Sequence, residues 1–193
     1  AHGAKGYEAV AAEGLPIFLD LKLHDIPNTV AEGMRSLMRL SPSPAIINLH
    51  ASGGMAMMQA AVEAIGGRAR LIAVTILTSL SNDDIWAAGF DAQQDTGAHA
   101  AGLARLAKAA GLDGVVCSSH DLAGIRAATD SEFLTVVPGI RPAEGASHDQ
   151  KRVATPKAAI AAGADILVIG RTITGAADPA VAARKIWDEL RHG

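Results

Sequence analysis

The densest set of chemically able side chains lies at Asp20-Leu21-Lys22-Leu23-His24-Asp25. On a β-strand, side chains alternate between two faces. The spacing therefore predicts Asp20, Lys22 and His24 on one face and Leu19, Leu21 and Leu23 on the other. A carboxylate and an ammonium about 4 Å apart attract by about 4 kcal/mol at an effective dielectric near 20. Asp20 is expected to hold Lys22 protonated, so that Lys22 can deliver a proton. Asp25 falls just past the strand, before Pro27, where a loop begins. The competing reading is a buried ion pair that closes one layer of a barrel and has no chemistry of its own.

A second candidate is Gly170-Arg171, which follows the last apolar run and precedes a short helical stretch. Backbone N–H groups at a helix start, together with the helix dipole, favour a phosphate, and phosphate-binding barrels often place it at this point. The alternative is a glycine turn with an exposed arginine. Other groups carry less. The seven histidines include no H-x-H or H-E-x-x-H spacing, so no metal site is expected. His50 reads as a hydrogen-bonded structural residue and Cys117 as a small buried one. Met34, Met38, Met55, Met57 and Met58 fall on helical stretches and read as packing residues.

These residues need elements to position them. Short apolar runs at 17–23, 45–49, 71–77, 114–117, 134–137 and 166–169 alternate with helical segments. Val30, Met34, Leu37 and Met38 have the spacing of one buried helix face. Thr155-Pro156 reads as an N-cap and first helical residue with Gly163 as the stop, and Asp178-Pro179 opens a last helix the same way. Ser81 with Asp84 predicts a capping box. Strand-then-helix repeated along the chain means parallel strands with crossover helices, in a single domain spanning 1–193. A (β/α)₈ barrel and an open doubly wound sheet both fit. The G-x-G-x-x-G fingerprint and the P-loop are absent, and polar residues at the ends of several strands favour the barrel.

Composition narrows the partners. The chain has 193 residues, of which 49% are hydrophobic and only 3% aromatic, so the core is aliphatic. A net charge of −3 without a basic run argues against nucleic acid and anionic membranes. No apolar stretch is long enough for a membrane span. The single cysteine fits a reducing, cytoplasmic setting.

The run Leu19-Asp20-Leu21-Lys22-Leu23-His24-Asp25-Ile26-Pro27-Asn28-Thr29 resembles the signature of the orotidine 5′-phosphate decarboxylase family, bacterial type. The likeness continues through Asn48-Leu49-His50-Ala51-Ser52-Gly53-Gly54, Ala73-Val74-Thr75-Ile76-Leu77-Thr78-Ser79, Val137-Pro138-Gly139-Ile140-Arg141-Pro142 and Ile169-Gly170-Arg171. The resemblance implies a TIM (β/α)₈ barrel. It also implies cofactor-independent, metal-free decarboxylation of orotidine 5′-monophosphate to UMP and CO₂, the last step of de novo pyrimidine nucleotide synthesis. By the same resemblance Lys22 protonates the C6 carbanion, Asp20 lies beside the substrate carboxylate, and Asp25 is the third catalytic charge. Substrate is bound by Ile26, Thr29, Thr78, Arg141, Gln150, Gly170 and Arg171. The enzyme is a homodimer with shared active sites, in which Asp25, Ile26 and Thr29 serve the neighbouring subunit. The loop 141–149 folds over the ligand.

Family members also carry an Asp and a Lys on two strands that precede the Asp20–Lys22 strand. The sequence shows six strands where a closed barrel has eight, so the barrel is expected to be N-terminally incomplete as it stands, with its first two strands missing and its activity in question. Two alternatives remain open: a Mg²⁺-dependent sugar-phosphate decarboxylase or aldolase of the same barrel suite, and an inactive phosphate-binding barrel fragment.

Overall fold

The structure, a computed structural model, describes residues 3–141 and 154–192. Its elements run α1 (Gly3–Ala11), β1 (Phe18–Leu23), α2 (Pro27–Leu37), β2 (Ile46–His50), α3 (Gly54–Ile65), β3 (Arg70–Val74), α4 (Asn82–Ala87), α5 (Thr96–Ala109), β4 (Gly114–Val116), α6 (Leu122–Ala128), β5 (Leu134–Val137), α7 (Pro156–Ala161), β6 (Ile166–Leu167), α8 (Arg171–Thr174) and α9 (Pro179–His192). The strands form one sheet in chain order, β1 to β6. Parallel registers join β1 to β2, β2 to β3 and β5 to β6. An open doubly wound sheet would reverse its strand order at a switch point; this order has no reversal. The fold is therefore α/β with a parallel sheet, as the alternation of runs predicts.

The chain divides into two compact units, Ala1–Val74 with Leu103–Gly114 and Thr75–Gly102 with Val115–Gly193. In the first, α2 packs on α3. Met34, Ile47, Leu49, Met57, Met58, Ile65 and Ile72 are all 2% exposed or less. Val30 and Met34 of the predicted helix face are buried, Met38 caps the helix, and Leu37 is half-buried. Met55 is likewise half-buried. The second unit has its own aliphatic core of Ile85, Val115, Leu122, Ile125, Val136 and Val137, with Cys117 buried among its apolar residues.

Local signals placed several helix starts correctly. Ser81 and Asp84 form the capping box of α4. The Thr155 hydroxyl accepts from the Ala158 N–H, with Pro156 opening α7. The Asp178 carboxylate accepts from the Val181 N–H, just before Pro179 opens α9. Strand lengths were less legible. β3 ends at Val74, although the Thr75 N–H and hydroxyl both still donate to the Val116 carbonyl of β4. β6 is only two residues long.

The largest departure is on β1. Its register with β2 runs from Leu19↔Ile47 to Leu23↔Leu49, four residues against two, so the strand carries a bulge. Strict alternation fails there. Leu21 is 44% exposed rather than packed with Leu19 and Leu23. Lys22 has φ 52°, the one positive φ of a non-glycine residue among the described residues.

Candidate active site

The charged residues of β1 are held by a side chain from β2. The Lys22 ammonium lies 2.6 Å from both Asp20 carboxylate oxygens. Asn48, only 1% exposed, reaches across from β2. Its Oδ1 accepts the Leu21 and Lys22 backbone N–H groups at 3.0 and 2.7 Å, and its Nδ2 donates to Asp20 Oδ1 at 2.7 Å. The Lys22 and Asp20 side chains remain 40% and 49% exposed, open to a ligand. Burial works to raise the Asp20 pKa, but the hydrogen bonds from Lys22 and Asn48 outweigh it, aided by the Lys22 and His50 charges, and the pKa lies below the ordinary carboxylate value. Asp20 is therefore ionised at neutral pH. The arrangement can fix the position of an ammonium and place a negative charge beside it.

Two histidines adjoin this pair. The rings of His24 and His50 lie 5.5 Å apart at 49°, a tilted ring pair where the sequence implied a hydrogen-bonded residue. Burial lowers the His50 pKa, and the His24 and Lys22 charges lower it further, with Asp20 opposing. Among the described residues no three His, Cys, Asp or Glu side chains are gathered as a metal would need.

Asp25 lies past the end of β1, where its Oδ1 accepts the Ile26 N–H at 2.7 Å. Pro27 then opens α2, with Ile26 at the N-cap and 66% exposed. Asp25 and Thr29 are also exposed. His24, Asp25, Ile26 and Pro27 face Ser52 and Gly53 across an open hollow of about 610 Å³. Asp25 makes no contact with Lys22 within this chain comparable to that of Asp20.

The second unit contains a separate cavity of about 210 Å³, lined by Pro138, Gly139, Ile140, Arg141, Val168, Gly170 and Arg171. Gly139 takes φ 77°, which lets the chain turn after β5. A parallel bridge between Ile140 and Ala154 then pins Arg141, whose N–H donates to the Ala154 carbonyl at 2.9 Å. Gly170 is the N-cap of α8, and a Cβ there would meet nothing within 4 Å, so its backbone is open to a ligand. The buried Arg141 Nε has no hydrogen-bond partner. An unsatisfied guanidinium donor in the same cavity as the open Gly170 backbone is a place for an anion. Thr78 sits half-buried in the turn that follows β3. Gln150, and the loop 141–149 beyond Arg141, lie outside the described residues.

The structure thus brings Asp20 and Lys22 together, and Arg141 with Gly170 and Arg171. Sequence reasoning did not single out Asn48. A signal was present, since a lone amide in the apolar run Ile46-Ile47-Asn48-Leu49 must find partners once buried.

The sequence matches the orotidine 5′-phosphate decarboxylase / HUMPS family over residues 1–186. It is 53% identical to the orotidine 5′-phosphate decarboxylase of Novosphingobium aromaticivorans over 186 residues, covering 96% of this chain and 81% of that protein. Identity to the Rhodospirillum rubrum enzyme of the same name is 50%, covering 98% of this chain and 78% of that protein. The crystal structure of orotidine 5′-phosphate decarboxylase from Lactobacillus acidophilus superposes with a TM-score of 0.83 at 35% identity, over 98% of this chain and 81% of that one. On these matches the chain belongs to the orotidine 5′-phosphate decarboxylase / HUMPS family.

Proposed function

We infer that this chain catalyses the decarboxylation of orotidine 5′-monophosphate to UMP and CO₂, the closing step of pyrimidine nucleotide synthesis. The observation that carries the reading is the Asp20–Lys22 pair, fixed at 2.6 Å at the end of β1 in a chain of this family. The C6–carboxylate bond breaks, CO₂ departs, and the electron pair stays on C6. The Lys22 ammonium stabilises the developing carbanion and then gives it a proton, forming UMP; the neutral amine regains its proton from solvent. A fixed charge needs little reorganisation as the carbanion forms, which is the main source of such stabilisation. Asp20 holds the ammonium by both oxygens and also repels the leaving carboxylate; the share of ground-state strain is secondary. Thr78 contacts the pyrimidine. Gly170, Arg171 and Arg141 receive the phosphate, with the unpartnered Arg141 Nε as support, and Gln150 completes the contacts from the covering loop.

The same proposal includes a TIM-type (β/α)₈ barrel, a cytoplasmic setting, and a homodimer in which Asp25, Ile26 and Thr29 serve the partner's site. Their exposure just beyond the strand is compatible with that reach. No helix among the described residues is long and apolar enough to cross a membrane.

The deciding experiment follows conversion of orotidine 5′-monophosphate to UMP in the presence of chelator. Turnover under those conditions is expected. Inactivity toward this nucleotide, with Mg²⁺-dependent turnover of a sugar phosphate instead, would overturn the reading. The shared site has its own check. Lys22→Ala and Asp25→Ala homodimers should each be nearly inactive, and equal mixing with subunit exchange should restore about a quarter of wild-type activity, because half the dimers are mixed and each has one intact site. No recovery after verified exchange would place Asp25 in its own chain's site.

A further inference from the structure

We propose that Asn48 is the positioning residue of the Lys22 site. From β2 its one amide holds both the left-handed backbone at Lys22 and the Asp20 carboxylate, and so sets where the ammonium stands. The inference rests on the reading of Lys22 as the proton donor.

The bulge explains why such a residue is required. Between Leu19 and Leu23 the β1 backbone leaves its register with β2. The N–H groups of Leu21 and Lys22 then need another acceptor, and both converge on Asn48 Oδ1, which replaces a ladder carbonyl. Lys22 is meanwhile held at φ 52°, in a region that a lysine rarely adopts unless its surroundings impose it. The other end of the same amide donates to Asp20 Oδ1. Its orientation is therefore determined: a flipped amide would set donors against two N–H donors and oxygen against a carboxylate. All three partners of Asn48 belong to Asp20, Leu21 and Lys22. Its sequence neighbours Ile47 and Leu49 are 0% exposed and apolar. A residue needed only for packing at this position would not require an amide. The backbone turn fixes the root of the Lys22 side chain, and the Asp20 carboxylate, itself held by Asn48, fixes its tip.

Two variants test this in the intact enzyme, with Lys22→Ala as control. Asn48→Asp keeps an oxygen for the two N–H groups but presents a second oxygen, in place of a donor, to Asp20. Asn48→Ala removes both functions. UMP lacks the departing carboxylate, so its affinity reports binding apart from the chemical step. Small misplacement of a catalytic group can cost about 100-fold in rate. The expected result is a fall in kcat of at least ~10-fold in each folded variant, with the UMP Kd within ~3-fold of wild type. A smaller fall in kcat, or a loss of UMP affinity in step with kcat, would overturn the proposal. Failure of both variants to fold would overturn it too, because Asn48 would then be a requirement of the sheet rather than of Lys22. An active Lys22→Ala would sink the reading of Lys22 itself. A dead Lys22→Ala beside unimpaired Asn48 variants would sink only the role of Asn48.

Discussion

Two acid–base pairs with the same 2.6 Å separation serve different ends. In the first unit, Lys22 meets Asp20 on a bulged strand. In the second, Arg126 of α6 meets Asp165 just before β6. The Arg126 guanidinium is saturated. It donates to the carbonyls of Gly163, Asp130 and Phe133, to the Thr135 hydroxyl and to Asp165. Asp165 in turn accepts the Thr135 N–H at 2.7 Å and its hydroxyl at 3.0 Å. Burial pushes the Asp165 pKa up, but hydrogen bonds from the Thr135 N–H, Arg126 and the Thr135 hydroxyl hold it below the ordinary value. Asp20 shows the same direction. A depressed carboxylate therefore does not distinguish the two pairs; backbone and partners do. Arg126 ties α6 to the chain before β5 and β6 and is 22% exposed. Lys22 stands on a strained backbone, meets the Asp20 carboxylate with its ammonium, and is 40% exposed. One charge is fully occupied by the fold, whereas the other is positioned and left accessible.

The contrast predicts opposite responses to deletion. Lys22→Ala should lower kcat by ~10⁴-fold or more, since it removes both the proton and the charge at the carbanion. Its stability should barely change. An exposed pair contributes about 0–1 kcal/mol, so Tm should move by less than about 4 °C in a protein of this size. Arg126→Ala should do the reverse. It leaves Asp165, the buried Thr135 and several carbonyls without their donor, at a cost of about 3 kcal/mol, or a Tm loss of about 6–12 °C. The kcat of its folded form should stay within ~3-fold of wild type. Thermal melts and initial rates on the two variants check both claims. A large Tm loss in the first with a collapse of kcat in the second would erase the distinction.

Arg171 extends the comparison to a site of intermediate kind. Its cavity has an unpartnered Arg141 Nε, so the charges there are not wholly used by the fold. A charge-assisted hydrogen bond contributes about 1.5–3 kcal/mol. Arg171→Ala should therefore weaken UMP by ~10–100-fold and leave uridine, which has no phosphate, nearly unchanged. Isothermal titration of both ligands measures this. Equal losses would remove Arg171 from the phosphate site.

The difference between the pairs was only half legible in the sequence. The residue types at Asp20, Lys22 and Gly170-Arg171 were readable because chemistry is carried by side-chain type and strand ends collect it. Capping at Ser81, Thr155 and Asp178 was readable because those hydrogen bonds span three residues. The meeting of Lys22 with Asp20 was legible too, but the bulge that exposes Leu21 and turns the Lys22 backbone to φ 52° was not. Period-two alternation assumes an unbroken ladder, and this one is bulged, with its freed N–H groups taken up by an amide from a strand some twenty-six residues away along the chain. The Arg126 clamp was equally hidden, since its partners at 163 and 165 are local only in the folded chain.

The smallest effect separates the pairs by pH. His50 adjoins the Asp20–Lys22 pair, whereas the partners of Arg126 and Asp165 named above include no histidine. Burial and the nearby His24 and Lys22 charges lower the His50 pKa. The unfolded chain, with a histidine value of about 6.5, then binds more protons than the folded one in the window below that value. Stability must rise with pH there. The His50 contribution is complete above about pH 6.5 and is lost as pH falls from there through the folded pKa. The two aspartates behave differently. Their folded pKa values are depressed, so their contribution persists above about pH 3.9 and is lost only as pH falls below it through the folded values. His50→Asn should thus flatten the fall in Tm just below pH 6.5 while leaving the steeper acid loss below about pH 4. Arg126→Ala should lower Tm across the range and keep the His50 slope. Melting curves in a series of buffers measure all three proteins together. If the slope below pH 6.5 survives in His50→Asn, another group sets it, and His50 is not what makes the Asp20 side of the molecule pH-sensitive.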